Sequence, residues 1–307
     1  MATADEPSVS NCKAMNDTFI KYIKDNKESL NNSYDCYFYY ADKGKFNTLQ
    51  PTITTDRGDD VYDTYCNVEE SVYRTFEKTV YMLNSIDDYD WYVRINISTF
   101  VNIKLLDLML SKLDESIIYC NAINTIISDE EYMNTLYPRG DFYIMSNKMK
   151  ISLLPEMNKL IFSDTKLQHS ERCNVIHVDD TLFGVALVKT FGNDYLDMLK
   201  MVKYNFLPGD NITGSTKLAI ASRVKTIPPG VGYSGYSWDD NPYRREDGNK
   251  MKMLYDAMLL YDYKDIKLED IFVDEDNCRP GIASVLYSMK IKNIKHLIRS
   301  KAEKEGK

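Results

Sequence analysis

Short apolar runs alternate along this chain with longer segments whose apolar residues recur at helical spacing. The first run covers residues 35–42 and the second covers residues 89–97. Between them, Phe76, Val80 and Leu83 form a stripe with the three- to four-residue period of a helix. Strands that alternate with helices are typical of a mostly parallel sheet covered on both faces. The sequence therefore predicts an α/β fold.

Further elements follow the same two patterns. More strands are predicted at residues 116–120, 140–145, 174–178 and 218–227. Helices are predicted at residues 12–26, 69–86, 106–113 and 181–191, and Gly192 closes the last of these. Two final helices, at residues 249–262 and 280–305, follow a stretch rich in Gly and Pro. We therefore predict a main domain of residues 1–248 and a C-terminal helical extension of residues 249–307.

Charge and hydropathy argue against two classes of partner. The net charge of −8 gives no basic footprint for phosphates, so we expect no nucleic-acid binding. No run of about 18 apolar residues is present, so no membrane span is expected. Residues 1–15 show no leader pattern, and the six cysteines form no C-x-x-C pair. The expectation is a soluble, cytoplasmic protein with reduced thiols.

Polar residues follow three of the predicted strands. Asp42, Asn96 and the pair Asp179–Asp180 each come at or just after the end of an apolar run. Ligands of open α/β sheets bind beyond the carboxyl ends of strands, so these residues are candidates for one binding edge. Two plainer interpretations stay open. An Asp before a helix is a favoured N-cap, and Asp42 is equally a turn residue.

Three segments, in order along the chain, resemble the inverting β-1,3-glycosyltransferase and Fringe-like group. Residues 89–106 hold a strand ending in Arg, then Asn-Ile-Ser, then Thr-Phe-Val-Asn before a Leu-rich helix. Residues 140–154 resemble the family's small-residue strand that ends in Ser and enters a helix. Residues 178–192 resemble its acid-Asp-x-x-x-Gly segment. The helix carrying Lys78 also resembles the helix that precedes the family's strand leading into its acidic D-x-D motif. The resemblance covers roughly residues 35–195.

The resemblance implies a GT-A, Rossmann-like fold and transfer of a sugar, with inversion, from a nucleotide-sugar to a hydroxyl acceptor. A UDP-sugar is the expected donor, and a glycan or another hydroxyl compound is the expected acceptor. By the same resemblance Asp180 is the general base, with Asp179 as a cap or orienting partner. The expected donor-binding residues are Asp42, Lys78, Arg94, Asn96, Ser98, Arg223, Arg244 and Arg245.

The chain departs from the family where its acidic D-x-D motif is expected, since it has Asn96-Ile97-Ser98 there. Hard cations prefer charged oxygen ligands, whereas an amide oxygen and a hydroxyl are neutral. We therefore expect Asn96 and Ser98 to bind Mn²⁺ or Mg²⁺ only weakly, and no other cofactor. Arginines of residues 223–250 are candidates to neutralise the donor diphosphate instead, although they are equally plausible as surface charges on a polar loop.

Two other functions stay open. One is a catalytically inactive GT-A-like protein that only binds a nucleotide or glycan. The degenerate Asn96–Ser98 segment favours that function, and the acids at 179–180 argue against it. The other is a retaining transferase on the same fold, which the stereochemistry of the product would distinguish.

Overall fold

The structure, a computed structural model of the 307-residue chain, divides into two compact units. It describes residues 8–40, 52–54, 75–86, 88–121, 123–125, 135–161, 179–206, 217–224 and 247–273. Unit 1 covers Met1–Asp63, Ile95–Leu113 and Lys203–Ile271. Unit 2 covers Thr64–Arg94, Asp114–Val202 and Phe272–Lys307. The boundary predicted between residues 248 and 249 lies within the third stretch of unit 1, and it stays a prediction.

Helices and strands are both short. The helices of the described residues are α1 (Ser8–Asp17), α2 (Phe19–Asp25), α3 (Thr75–Ser85), α4 (Ile103–Leu110), α5 (Asn147–Ile161), α6 (Asp179–Phe191) and α7 (Asp247–Leu260). Two 3-10 segments are Gly192–Met198 and Leu268–Ile271. The strands are β1 (Phe38–Tyr40), β2 (Thr52–Thr54), β3 (Trp91–Ile95), β4 (Thr99–Val101), β5 (Ile118–Cys120), β6 (Ile123–Thr125), β7 (Leu136–Pro138), β8 (Phe142–Ser146), β9 (Leu199–Met201), β10 (Tyr204–Phe206) and β11 (Ala221–Arg223). No helix in the described ranges has the length and apolar content needed to cross a bilayer.

The strands form small sheets with mixed directions. Unit 1 holds the pair β1-β2 and the sheet β10-β11-β4. Unit 2 holds the pair β6-β7 and the sheet β3-β8-β5-β9, although Ile95 at the end of β3 is assigned to unit 1. β5 runs parallel to β9 but antiparallel to β8, and β11 runs parallel to β10 but antiparallel to β4.

The described elements are therefore α/β, as expected, but the described strands lie in several small sheets of mixed direction rather than in one mostly parallel sheet. Periodicity in a sequence indicates which residues are buried, whereas it does not give the direction in which a strand runs. The finer expectation of a GT-A arrangement stays a prediction.

The core of unit 2 confirms the predicted helical stripe of α3. Phe76 and Val80 are 0% exposed and Leu83 is 2% exposed. They pack with apolar residues of α5 and α6, among them Leu153 and Leu182, both 0% exposed. Each of these helices buries one apolar face, and that burial holds the layer together.

Two other helix predictions have different outcomes. Helix α6 ends where predicted, because Gly192 adopts a left-handed conformation with φ 58° just after it. The single helix predicted over residues 12–26 is wrong, since it is broken at Thr18, where φ is −118° and ψ is −108°. The Thr18 hydroxyl donates to the Ala14 carbonyl at 2.6 Å, a bond that competes with the helical ladder.

Several short strands were not predicted, namely β2, β4, β6, β7, β9 and β10. Each has only three residues, too few to show a period of two. The strand predicted at residues 174–178 and the helix predicted at residues 280–305 lie outside the described residues.

Candidate functional site

The first cluster of predicted residues is a tight turn in unit 1, between β3 and β4. The Asn96 side-chain oxygen accepts hydrogen bonds from the Ser98 N–H and from the Ser98 hydroxyl, each at 3.1 Å. The Asn96 carbonyl accepts the Thr99 N–H at 2.9 Å. An asparagine that bonds the backbone two residues ahead is a common way to fix a turn. Asn96 is half-buried, and Ser98 is fully buried.

This pair of side chains does not fit a divalent cation. Both are neutral, and as they lie they are hydrogen-bonded to each other, with Ser98 0% exposed. Mg²⁺ and Mn²⁺ favour carboxylates and water in an open coordination sphere. The described part of the chain contains no group of three or more His, Cys, Asp or Glu side chains that could hold a metal ion.

Arg223 lies beside this turn on β11. β11 pairs with β4 so that Arg223 stands opposite Thr99, and the next residue, Val224, donates its N–H to the Ser98 carbonyl at 2.9 Å. Arg223 is only 2% exposed, so the surface-charge alternative is wrong for this residue. Because so little of its side chain reaches solvent, Arg223 could bind a diphosphate directly only if the residues packed over it moved.

The second cluster lies in unit 2 and brings Arg94 and Asp180 to one glycine. Gly140, in the turn between β7 and β8, donates its N–H to Asp180 Oδ2 at 3.3 Å. The Arg94 guanidinium lies against the same residue, since a Cβ on Gly140 would stand 2.5 Å from Arg94 Nη1. Arg94 is near the end of β3, and Asp180 is on the first turn of α6. Three elements distant in sequence therefore place a cation and a carboxylate at a single turn.

Aromatic rings support this cluster. The Arg94 Cζ lies 5.9 Å from the centroid of the Tyr143 ring, within the range of a cation–π contact. Tyr143 stacks in turn on Phe183, with centroids 4.9 Å apart and an interplanar angle of 17°. Both rings are buried. Through these two stacked rings, Arg94 packs against β8 and α6.

Two further contacts fix the turn between β7 and β8. Arg139 and Asp141, on either side of Gly140, form an ion pair at 2.6 Å. On α6, a Cβ added to Gly184 would stand 2.5 Å from the Tyr137 Cβ. Only glycine allows α6 to approach β7 this closely, and that approach brings Asp180 over the turn.

For the remaining predicted residues the structure describes only the backbone or nothing. Lys78 lies in α3 and Asp179 begins α6, and the structure describes their backbone but not their side chains. Asp42, Arg244 and Arg245 lie outside the described residues. Asn96 and Arg223 belong to unit 1 and Asp180 to unit 2, so the shared cleft expected for them stays a prediction.

Sequence reasoning did not assign Gly140 or Tyr143 to the site. A glycine that opens a predicted strand is the signal that could have identified the first. Nothing in the spacing of residues indicates the second. Comparison with known proteins adds no family, since no family model and no curated protein matches the chain.

Proposed function

We propose that this chain is a glycosyltransferase that moves a sugar from a nucleotide-sugar to a hydroxyl acceptor with inversion. The observation that carries the proposal is the convergence of Arg94 and Asp180 on Gly140. Such a transfer needs a cation for the donor diphosphate and a base for the acceptor proton. Unit 2 supplies one group of each kind at the same turn. The three motifs that resemble the Fringe-like group support the same function.

Asp180 is the proposed general base. As the acceptor oxygen bonds to the anomeric carbon, the bond from that carbon to the diphosphate oxygen breaks on the opposite face. The acceptor proton passes to the Asp180 carboxylate. The Gly140 N–H bond to Oδ2 holds this carboxylate in one orientation before the substrate arrives. Orientation of this kind is how a fixed side chain lowers an activation barrier.

Arg94 is the proposed diphosphate ligand, with a UDP-sugar as the donor we would test first. A guanidinium can hold two phosphate oxygens at once, and it needs no metal ion to do so. Because Asn96 and Ser98 do not fit a divalent cation, neutralisation by arginine is the mechanism that these residues support.

Donor binding and turnover test the proposal directly. Titration calorimetry with UDP-, GDP- and dTDP-sugars should show saturable binding of one class, and Arg94→Gln should weaken it by about tenfold or more. Lys148→Gln is the control, because Lys148 is an exposed cation at the start of α5 in the same unit. Activity should survive EDTA. Complete loss that Mn²⁺ reverses, or no binding of any nucleotide-sugar, contradicts the proposal.

One observation favours the binding-only alternative. Ser98 is fully buried and bonded to Asn96, so the segment that the resemblance matches to the donor-metal motif is closed here. A protein that only binds would take up the donor and neither hydrolyse nor transfer the sugar, with or without Mn²⁺. Turnover under either condition excludes it.

A further inference from the structure

We infer that Gly140 is a positioning residue for Arg94, which extends the proposed function and rests on it. The glycine leaves the space in which the guanidinium lies. An added Cβ would stand 2.5 Å from Nη1, 3.2 Å from Cζ and 3.3 Å from Nη2 of Arg94. These three nearest atoms all belong to the tip of one side chain. A side chain at position 140 would therefore occupy the place of the guanidinium.

The need for glycine at position 140 is one of space, not of backbone conformation. Among the described glycines only Gly192 has a positive φ. Gly140 thus adopts a conformation that alanine shares, and alanine keeps the N–H that donates to Asp180. Gly140→Ala should consequently move the Arg94 side chain while it leaves the Asp180 hydrogen bond and the backbone in place.

Gly184 shows what a structural glycine looks like in the same unit. A Cβ there would also meet an atom at 2.5 Å, but that atom is the Tyr137 Cβ, and the next contacts are the Leu136 carbonyl and the Tyr137 Cα at 3.4 Å. These atoms cannot move without shifting α6 from β7. The closest contact of an added Cβ is 2.5 Å at both glycines. We nevertheless expect Gly184→Ala to lower stability and Gly140→Ala to displace the Arg94 guanidinium.

The first experiment compares Gly140→Ala with Gly184→Ala. Gly140→Ala should melt close to the wild type, and its Kd for the donor should rise about tenfold. Gly184→Ala should lower the melting temperature. In the Arg94→Ala background, Gly140→Ala should cause no further loss of affinity, because two residues that act through one contact are not additive. Equal effects of Gly140→Ala with and without Arg94 would overturn the inference.

A second measurement needs no donor and separates this inference from the proposed function. Phenylglyoxal modifies accessible guanidinium groups, and mass spectrometry of the Arg94 peptide gives its rate. We expect faster modification of Arg94 in Gly140→Ala than in the wild type, since the displaced guanidinium loses its contact with the turn. An unchanged rate overturns the positioning role even if a donor binds. If Gly140→Ala does not fold, the double variant with Arg94→Ala should fold, and failure of both would also overturn it.

Discussion

Asp180 shows how one side chain can be placed by two elements at once. It lies on the first turn of α6, where the helix dipole favours a carboxylate, and it accepts the N–H of Gly140 from the turn between β7 and β8. The bond to Gly140 ties the carboxylate to the place where Arg94 lies. The carboxylate therefore contacts an element outside its own helix.

Asp180→Asn is expected to lower kcat by about 10²–10⁴-fold, the usual cost of removing a general base. Asparagine keeps the shape and still accepts the Gly140 N–H, so donor Kd and melting temperature should stay near those of the wild type. Asp179→Asn is the matched control. Normal turnover of Asp180→Asn with loss in Asp179→Asn would exchange the two roles, and normal turnover of both would favour the binding-only alternative.

Asp107 is the other residue whose contacts suggest a strong effect. It is 4% exposed on α4, and its carboxylate accepts hydrogen bonds from the backbone and side-chain N–H groups of Asn31 and Asn32 and from the Tyr34 hydroxyl. Asp107→Ala should lower the free energy of unfolding by about 2–4 kcal/mol, because several donors lose their acceptor together. Urea unfolding measures this, and Tyr34→Phe, which removes one of the bonds, should cost about 1 kcal/mol. Equal effects of the two variants would contradict the shared role of the carboxylate.

The residues of the candidate site were predictable only in part. The resemblance led to the prediction of Arg94 and Asp180 as site residues, and the structure places both of them beside Gly140. It did not identify Gly140, because the reason for that glycine is a guanidinium that comes from another strand. Asp107 gave no signal either, since its partners at 31–34 lie in a different part of the sequence. Contacts between distant segments depend on the fold, which a local pattern does not contain.

At the scale of elements, Asn102 helps to fix the start of α4. The Asn102 side-chain oxygen accepts the Leu105 N–H at 3.2 Å, and its amide donates to the Tyr263 hydroxyl at 2.9 Å. Asn102 therefore caps the helix and links it to the segment after α7. Both groups are buried, with Asn102 4% and Tyr263 5% exposed.

Asn102→Ala should lower the free energy of unfolding by about 2 kcal/mol, the sum of a lost cap and a lost buried hydrogen bond. Asn102→Asp can keep the cap but has no amide to donate, so its cost should be smaller. Tyr263→Phe removes only the second bond and provides the comparison. Denaturant unfolding should show a larger loss of unfolding free energy in Asn102→Ala than in Asn102→Asp or Tyr263→Phe. A loss in Tyr263→Phe as large as in Asn102→Ala would refute the capping role.

Helices were predicted more reliably than strands for a physical reason. A helix of several turns repeats its apolar face, as Phe76, Val80 and Leu83 do in α3. A strand of three residues has no room for repetition. β5 and β8, in which every residue is buried, were predicted instead from their continuous apolar runs.

At the scale of the whole molecule, each unit is assembled from three separate stretches of chain. A boundary inferred from composition assumes that a domain is one continuous segment. The division into units falls inside β3, since its last residue, Ile95, begins a stretch of unit 1 while the rest of the strand belongs to unit 2. The helix α7, predicted as part of an extension, belongs to unit 1 and packs against α1.

Both units also contain buried cysteine thiols or tyrosine hydroxyls whose pKa values are raised above their usual values. Burial raises the pKa of the Cys12 thiol from 9.0 to about 12, and that of Cys36 from 9.0 to about 11, with a smaller contribution from Asp35 to the latter. Burial also raises the pKa of Tyr195, in unit 2, and of Tyr263, in unit 1, from 10.0 to about 12. Burial, with a smaller contribution from the nearby Asp107 carboxylate, also raises the pKa of the Tyr34 hydroxyl.

The chain is therefore expected to lose stability at alkaline pH. These groups hold their protons more tightly in the folded state, so their contribution is complete below the unfolded pKa values of 9.0 and 10.0 and is lost as the pH rises towards about 12. Urea unfolding at a series of pH values should show a falling free energy of unfolding from about pH 9 upward. Cys12→Ala removes one of the thiols, and its curve should fall less steeply than that of the wild type between pH 9.0 and about 12, even if the variant is less stable at neutral pH. Parallel curves for the two proteins would show that Cys12 does not titrate with a raised pKa in the folded state.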